Sequence, residues 1–290
     1  MNRHPLRDID EQEIRRFEED GVAHVRGVLD DEWVARMQDA VDDILDRPTR
    51  FGHDLNEAHE SERYAFDNNM WMFHPDFRAF VYESPMAETA ARFLRSRAVN
   101  LVFDFLLVKE PRTPTPTTWH QDMPGNPVEG NACGMWVSLD HVTAESGAVQ
   151  WARGSHRWGR RFDPVGDGRG KREGYGYVGD APVLEEMPDI AGNPDAYDIV
   201  SFETVPGDFI VSSLLTCHGA PGNASDRRRR AFGVRFAGEG ATYAVRTGVS
   251  FNLGPAEDPG IGDGEPFPAA PDHPVFPRLG PGWDTARTAV

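Results

Sequence analysis

The chain is strongly acidic, which limits the partners that it can bind. Its 290 residues include 47 Asp and Glu against 30 Lys and Arg, a formal net charge of -17. Such a surface repels nucleic-acid phosphates and anionic membranes, and no run approaches the roughly 20 apolar residues of a membrane span. The first residues lack the apolar centre of a signal peptide, and two cysteines are too few for a disulfide framework. We expect a cytoplasmic protein whose partner is a small-molecule substrate, with no nucleic-acid or membrane partner.

Helical signals dominate the first hundred residues. Asp10 is a candidate N-cap with Glu13 three positions later, which is the pattern of a capping box. A second helix is predicted after Asp30 or Asp31, where apolar residues recur at helical spacing, and a third from Ser84, with a proline at its first helical position. We expect these helices to pack against a sheet.

Short apolar runs separated by turn residues begin at Asn100. Six of them, LVFDFLLVKE, GMWVSLDHV, GAVQWARG, YDIVSFETV, DFIVSSLL and RAFGVRFAG, predict a mainly β sandwich or barrel. A polar segment at about 155–196 is too long for a hairpin turn and is predicted to be a lid. We expect one domain over residues 1–290, made of a helical buttress with the first strands (1–99), a β core that includes the lid (100–250) and a wrapping tail (251–290).

Three side chains have the chemistry of a non-haem iron site. Such a site needs two histidines and one carboxylate, with three positions left open on the metal. His120 and Asp122, in TTWHQDMP, are two positions apart and would point the same way on a strand. His218 ends an apolar run and is followed by a Gly-Ala-Pro-Gly turn. Each residue alone has an ordinary structural interpretation, but together they predict a metal centre.

An arginine follows the distal histidine at a distance that suits an anion site. Arg229 lies eleven positions after His218, at the start of the strand predicted for RAFGVRF. The planar fork of arginine suits a carboxylate such as the distal one of 2-oxoglutarate. Only alternate members of the four-arginine run can face inward on a strand. We therefore assign this role to Arg229 and interpret Arg227, Arg228 and Arg230 as mostly structural or exposed.

These motifs, taken together, resemble a known family. TTWHQDMP, GMWVSLDHVTAESGAVQWARGSHRWG and PGDFIVSSLLTCHGAPGN followed by RRRRAFGVRF look like the phytanoyl-CoA dioxygenase family of Fe(II) and 2-oxoglutarate-dependent oxygenases. The resemblance extends from about Phe17 to beyond Tyr243. It implies a mainly β (α+β) fold, a double-stranded β-helix of the jelly-roll, cupin-like type buttressed by N-terminal helices.

The resemblance also implies roles for single residues and a set of cofactors: Fe(II), 2-oxoglutarate as co-substrate, and O2. It implies that His120, Asp122 and His218 are the catalytic metal ligands, that Arg229 binds 2-oxoglutarate and that Trp136 lines the co-substrate pocket. Ala220 departs from members that have a serine two residues after the distal histidine, and this removes a hydrogen bond to the co-substrate but no ligand. His156 of the GSH motif is interpreted as structural.

The predicted reaction is hydroxylation of an unactivated C-H bond in a small metabolite or natural-product intermediate, with succinate and CO2 as co-products. An intact Asp122 argues against the halogenases of this fold, in which a small residue replaces the carboxylate. Desaturation, epimerisation or cyclisation with the same cofactors remains an alternative. So do a cupin-like metal- or ligand-binding protein without oxygenase activity and a zinc hydrolase that uses the same three ligands.

Substrate and further cofactor contacts are proposed from weaker signals. Lys109 ends the strand before the ligand segment and is a candidate for binding the co-substrate or the substrate. The phosphates of a coenzyme A thioester would need a basic entrance, and this acidic chain has a single candidate basic cluster. A small substrate other than a coenzyme A thioester is therefore favoured. The candidate substrate contacts are Asn68, Asn69, Trp71, Trp119 and Arg153.

Overall fold

The computed structural model describes residues 1–56, 62–163, 176–177, 184–247 and 259–280. Within these ranges the chain forms five α-helices and sixteen strands. The helices are α1 Glu11–Asp20, α2 Asp31–Asp46, α3 Met70–Phe73, α4 Pro75–Glu83 and α5 Met86–Phe93. The strands are β1 Val22–Val25, β2 His53–Asp54, β3 Tyr64–Asn68, β4 Val99–Lys109, β5 Thr117–His120, β6 Val128–Glu129, β7 Ala132–Ser138, β8 Gln150–Ala152, β9 Gly176–Tyr177, β10 Ile199–Ser201, β11 Phe209–Ser213, β12 His218–Ala220, β13 Arg229–Ala237, β14 Thr242–Tyr243, β15 Arg246–Thr247 and β16 Arg278–Leu279.

The helix ends follow the sequence signals closely. Asp10 caps α1, its side chain accepts from the Gln12 amide, and the reciprocal bond from Glu13 completes the predicted capping box. Asp30 caps α2 through the Trp33 amide. The helix predicted from Ser84 begins two residues later, because the proline after Ser84 lies at the N-cap rather than in the first turn. The short helices α3 and α4 were not predicted.

The strands form two main antiparallel sheets. The large sheet has the order β1-β11-β7-β13-β4-β3-β2, with β16 also paired to β4. The small sheet has the order β10-β8-β12-β5. Two further pairs, β14 with β6 and β15 with β9, lie outside them. The architecture among the described residues is a cupin-like β-sandwich in which strands distant in sequence are neighbours.

Each face of the large sheet has its own apolar layer. One face packs against the helices, in a core where Phe77 and Phe80 of α4 meet the ring of Phe232 edge-on at 5.2 and 5.6 Å between centroids. The opposite face, called the inner face below, packs against the small sheet through a second cluster in which Trp136 and Trp151 lie on opposite sheets. The helices therefore close one side of the large sheet and leave the inner face for a site.

The predicted lid and tail lie partly outside the described residues. The predicted lid at 155–196 falls largely outside the described residues; its described parts are 155–163, the β9 backbone and 184–196. The tail was expected to wrap the surface. In its described part, 259–280, the side chains of Phe267, Val275 and Phe276 are buried in a cluster with residues of neighbouring strands. Across the described residues, no helix has the length and apolar character needed to cross a membrane.

Candidate active site

Two histidines face each other across adjacent strands of the small sheet. His120 ends β5 and His218 begins β12, and the two are direct partners in the antiparallel register, with ring centroids 4.3 Å apart. In each ring, Nδ1 donates to the carbonyl two residues earlier, Thr118 at 2.7 Å and Thr216 at 2.9 Å. Because the Nδ1 proton is used in this way, the lone pair of each Nε2 is left for a metal.

Asp122 completes the group from a turn rather than from a strand. The sequence argument placed it on the same strand as His120, but β5 ends at His120 and Asp122 has helical dihedrals (φ -75°, ψ -41°). Its Oδ1 lies 3.6 Å from His120 Nε2, and its Oδ2 lies 3.8 Å from His218 Nε2. His218 likewise begins a strand of its own, because the strand formed by the preceding apolar run, β11, ends at Ser213.

The three side chains fit a divalent transition metal. One ligand atom from each of His120, Asp122 and His218 lies within 4.8 Å of the others. Two imidazoles and one carboxylate are the donor set of the facial iron triad. No other group of three or more histidine, cysteine or acidic side chains with this geometry is found among the described residues.

Charge around the triad favours the protonation states that metal ligands need. Burial acts to raise the pKa of Asp122, but the charge of Arg235, followed by that of His218, holds it well below its usual range. Burial, followed by the charge of His120, lowers the pKa of His218 to about 4. At neutral pH the carboxylate is therefore anionic and His218 is neutral, as metal binding requires.

A rung of three buried polar side chains crosses the inner face. Tyr64, Lys109 and Arg229 are direct register partners on β3, β4 and β13. Lys109 is fully buried and Arg229 is 1% exposed. Lys109 Nζ donates to the Pro221 carbonyl at 2.6 Å and lies 4.6 Å from the centre of the Tyr64 ring. Two buried basic side chains thus lie on neighbouring strands, and the structure pairs neither with a carboxylate among the described residues.

Several buried donors on this side of the sandwich have no acceptor. Arg229 Nη2 donates to the Gly147 carbonyl at 3.2 Å, whereas its Nε and Nη1 have no partner among the described residues. The same holds for the indole nitrogens of Trp136 and Trp151 in the described part of the chain. Trp151 is the register partner of His218 and stacks on it at 6.4 Å. Each unsatisfied buried donor costs about 1–3 kcal/mol, so these groups are suited to a ligand with several anionic oxygens.

Lys109 is the group whose charge responds most to this environment. Burial, followed by the positive charge of Arg229, lowers the pKa of Lys109 to about 6. Burial also raises the pKa of Tyr64, so the phenol stays protonated, and its hydroxyl is 2.6 Å from Thr117 Oγ1. At neutral pH the rung therefore holds one permanent cation and one neutral amine, which takes up a proton from solvent when an anion binds beside it.

The candidate substrate contacts have different surroundings. Asn68 is opposite Phe105 on the inner face, and its buried Oδ1 has no partner in the described ranges. Asn69 forms the turn into α3 with φ 55°. Trp71 packs in the helix-facing core, and Trp119 packs in an apolar cluster with Ala152, Phe162, Ile190 and Cys217.

Arg153 is exposed on the surface, directly after β8. It forms ion pairs with Asp198 at 3.1 Å and with Asp20 at 3.8 Å. Of the five candidates, Asn68 is therefore the one that the strand register brings to the inner face. His156, interpreted as structural, binds the Glu18 carbonyl at the end of α1 at 3.1 Å.

The sequence reasoning missed three residues of the site. Arg235 is 2.8 Å from Asp122, Tyr64 belongs to the cation rung, and Trp151 stacks on a ligand histidine. A signal for Arg235 was present, because it lies six residues after Arg229 on one strand and so shares its face. Neither Tyr64 nor Trp151 has such a signal, since each reaches the site through pairing between distant strands.

Comparison with family models identifies one match. The model described as phytanoyl-CoA dioxygenase matches residues 17–231. That range includes the metal triad, Lys109 and Arg229. No curated protein matches the sequence.

Solved structures with this fold include enzymes of natural-product biosynthesis. The non-haem α-ketoglutarate-dependent carbocyclase SnoK from nogalamycin biosynthesis is 22% identical, with a TM-score of 0.73, covering 96% of this chain and 100% of that one. The epimerase SnoN, in complex with Fe3+, α-ketoglutarate and nogalamycin RO, is 23% identical with a TM-score of 0.72, covering 93% and 98%. EctD from S. alaskensis, with 2-oxoglutarate and 5-hydroxyectoine, is 18% identical with a TM-score of 0.63, covering 83% and 85%.

At these identities the likeness establishes a shared fold. The iron and 2-oxoglutarate expected from the motifs are the groups with which those relatives were crystallised. Together with the family match and the His-Asp-His group, this makes the chain an enzyme of the phytanoyl-CoA dioxygenase family of iron- and 2-oxoglutarate-dependent oxygenases.

Proposed function

We propose that the protein is a dioxygenase that uses Fe(II), 2-oxoglutarate and O2 to hydroxylate an unactivated C-H bond of a small molecule. One observation carries the proposal. The sandwich interior contains both a two-histidine, one-carboxylate group and two buried basic side chains, Lys109 and Arg229, that have no carboxylate partner among the described residues. A metal-binding protein or a zinc hydrolase needs the first feature but has no use for the second.

In this proposal the metal is held by Nε2 of His120, Nε2 of His218 and the carboxylate of Asp122. The distal carboxylate of 2-oxoglutarate is bound by Arg229 through Nε and Nη1, the two donors that have no acceptor within the described ranges. Lys109, one strand away, becomes a second cation when the bound carboxylate favours its protonated form. Trp136 is the register partner of Gly233 and lies on the same inner face, where it forms a wall of this pocket.

Iron with 2-oxoglutarate would supply the oxidation of a C-H bond by O2, with succinate and CO2 as co-products. The protein residues orient both groups and exclude water. The apolar layer around Trp136 and Trp151 seals the co-substrate side, and His120, the more exposed of the two histidines, faces the substrate entrance. Asn68 is our candidate for a polar substrate contact.

We further infer that the sandwich is a double-stranded β-helix of jelly-roll type and that the chain is one catalytic domain. The alternation of the large and small sheets along the chain, β11 in one and β12 in the other, supports this topology. Hydroxylation is our preferred outcome. Epimerisation and carbocyclisation are alternatives, because relatives with this fold are named for those reactions.

The test is an anaerobic titration of the metal-free protein with Fe(II) and then 2-oxoglutarate, following the weak visible charge-transfer band of the chelate. We compare wild type with Arg229→Ala and with Arg227→Ala, a matched control because Arg227 is an exposed member of the same arginine run. Loss of a charged hydrogen-bond partner costs about 1.5–3 kcal/mol, so Arg229→Ala should need at least about tenfold more 2-oxoglutarate.

The result distinguishes the candidate functions. A band that depends on Arg229 and not on Arg227, with succinate formed in air, supports the oxygenase. If the protein binds iron but gives no band at any 2-oxoglutarate concentration, the oxygenase proposal is wrong, and the metal-binding and hydrolase alternatives take its place.

A further inference from the structure

A buried arginine contacts the carboxylate of the metal triad. Arg235 lies on β13, six residues after Arg229, and is 8% exposed. Its Nη2 is 2.8 Å from Asp122 Oδ2. The other carboxylate oxygen, Oδ1, is the one nearer to His120, at 3.6 Å from Nε2. Oδ1 therefore faces His120, whereas Oδ2 faces Arg235 as an ion pair without hydrogen-bond geometry and also lies 3.8 Å from His218 Nε2.

Two glycines make the space that this guanidinium needs. A Cβ on Gly134 would lie 2.8 Å from Arg235 Nη1 and 3.3 Å from its Cζ. On the other side, Arg235 Cζ lies 4.3 Å from the centre of the Phe105 ring. A Cβ on Gly233 would overlap that ring. The strand sequences GMW and FGVRF thus form a slot that sets the direction of the guanidinium.

We propose that Arg235 is a positioning residue that holds Asp122 by Oδ2, so that the carboxylate offers a single oxygen, Oδ1, to the metal. This rests on the proposed function, in that the triad holds iron. A carboxylate bound through one oxygen leaves one more coordination position open than one bound through two. Three open positions are what a bidentate co-substrate and O2 together require.

Charge compensation alone does not account for the arrangement. A cation anywhere near Asp122 would offset its burial, and such a role needs no slot. The slot formed by Gly134, Gly233 and Phe105 instead gives the guanidinium one orientation, which is what positioning requires. The two explanations differ in their response to a variant that moves the guanidinium without removing its charge.

The experiment compares four variants. Arg235→Gln removes the charge, Arg235→Lys keeps the charge without the fork, and Gly134→Ala displaces the guanidinium while keeping every charge. Arg230→Gln is the matched control, because Arg230 is on the same strand and pairs with Asp140 at 2.8 Å, away from the triad. For each metal-free protein we measure Fe(II) affinity by anaerobic calorimetry, the EPR spectrum of the Fe(II)-nitric oxide adduct, and the melting temperature.

We expect Arg235→Gln and Gly134→Ala to weaken Fe(II) binding about 10–100-fold, the range for lost partners of metal ligands, and to change the EPR spectrum. Arg235→Lys should recover part of the affinity, and Arg230→Gln should stay within about twofold of wild type. The inference is overturned if Gly134→Ala binds Fe(II) with wild-type affinity and spectrum, or if Arg230→Gln is affected equally.

The design also covers a folding failure. Should Arg235→Gln fail to fold, Gly134→Ala decides the question, because it leaves the Arg235-Asp122 pair in the chain. If the wild type binds no Fe(II), the proposed function fails and this inference with it. If the wild type binds Fe(II), and Arg235→Gln and Gly134→Ala bind it with the same affinity and EPR spectrum, only the inference fails.

Discussion

Binding of 2-oxoglutarate should be coupled to protonation of Lys109. In the free protein, burial and then the Arg229 charge lower the pKa of Lys109 to about 6, so the amine is mostly neutral above that pH. A bound carboxylate favours the ammonium form and raises the pKa. Binding above pH 6 therefore takes up a proton. The affinity is highest at low pH and falls as pH rises from the free pKa towards the bound one.

The magnitude follows from this pKa. Each unit of pH above the free value reduces affinity by up to about tenfold, or about 1.4 kcal/mol, while the bound lysine stays protonated. Between pH 6.5 and 8.5 the Kd for 2-oxoglutarate should rise by about 50- to 100-fold. Arg229 keeps its charge over this range, and the raised pKa of Tyr64 keeps the phenol neutral.

The assay is a titration of the iron-loaded protein with 2-oxoglutarate, under nitrogen, at several pH values. Lys109→Met is the matched variant, because it keeps the length of the side chain without an amine. Its Kd should be higher at pH 6.5 and nearly independent of pH, and any slope that persists in it belongs to the metal site. A wild-type Kd that is flat between pH 6.5 and 8.5, or an equal slope in Lys109→Met, would refute the coupling.

Three further predictions concern stability. Gly233→Ala should lower the free energy of unfolding by about 1–3 kcal/mol through overpacking against Phe105. Denaturant unfolding should show this loss. The exposed control Gly262→Ala, where the nearest neighbours of an added Cβ are at 3.5 Å or more, should not show it. Tyr64→Phe should cost about 1 kcal/mol by removing the 2.6 Å bond to Thr117; an unchanged melting temperature would contradict a net contribution from that bond. Asp10→Ala should cost about 1 kcal/mol by removing the α1 cap, with Asp8→Ala as the control in the same thermal melt.

The three side chains of the candidate metal centre could be selected from the sequence, but part of the reasoning about local structure was wrong. The chemistry and order of the side chains selected His120, Asp122 and His218. In the structure, one ligand atom from each lies within 4.8 Å of the others. Yet Asp122 lies in a turn, not on the strand whose alternation was used to choose it. The choice of Asp122 did not depend on the strand, because the tight turn after His120 also brings the side chain at position 122 close to the two histidines.

What could not be predicted depends on register between distant segments. Tyr64, Lys109 and Arg229 form one rung only because β3, β4 and β13 pair in one alignment, and a slip of one residue would turn each side chain to the opposite face. A single sequence contains no record of that alignment. The same applies to Trp151 against His218. By contrast, the caps of α1 and α2 depend on neighbours within three residues, so local reasoning was sufficient.

The overall charge of the chain and the charge of its pocket have opposite signs. The net charge of -17 makes the surface repel anions, whereas three buried basic side chains, Lys109, Arg229 and Arg235, lie on the inner face of the large sheet. The charge of Arg235 is balanced by Asp122, and the other two have no carboxylate partner among the described residues. Buried charges are screened much less by salt than exposed ones. An acidic protein can therefore bind a dianion, because the attraction comes from within the pocket, and co-substrate affinity should depend far more on pH than on ionic strength.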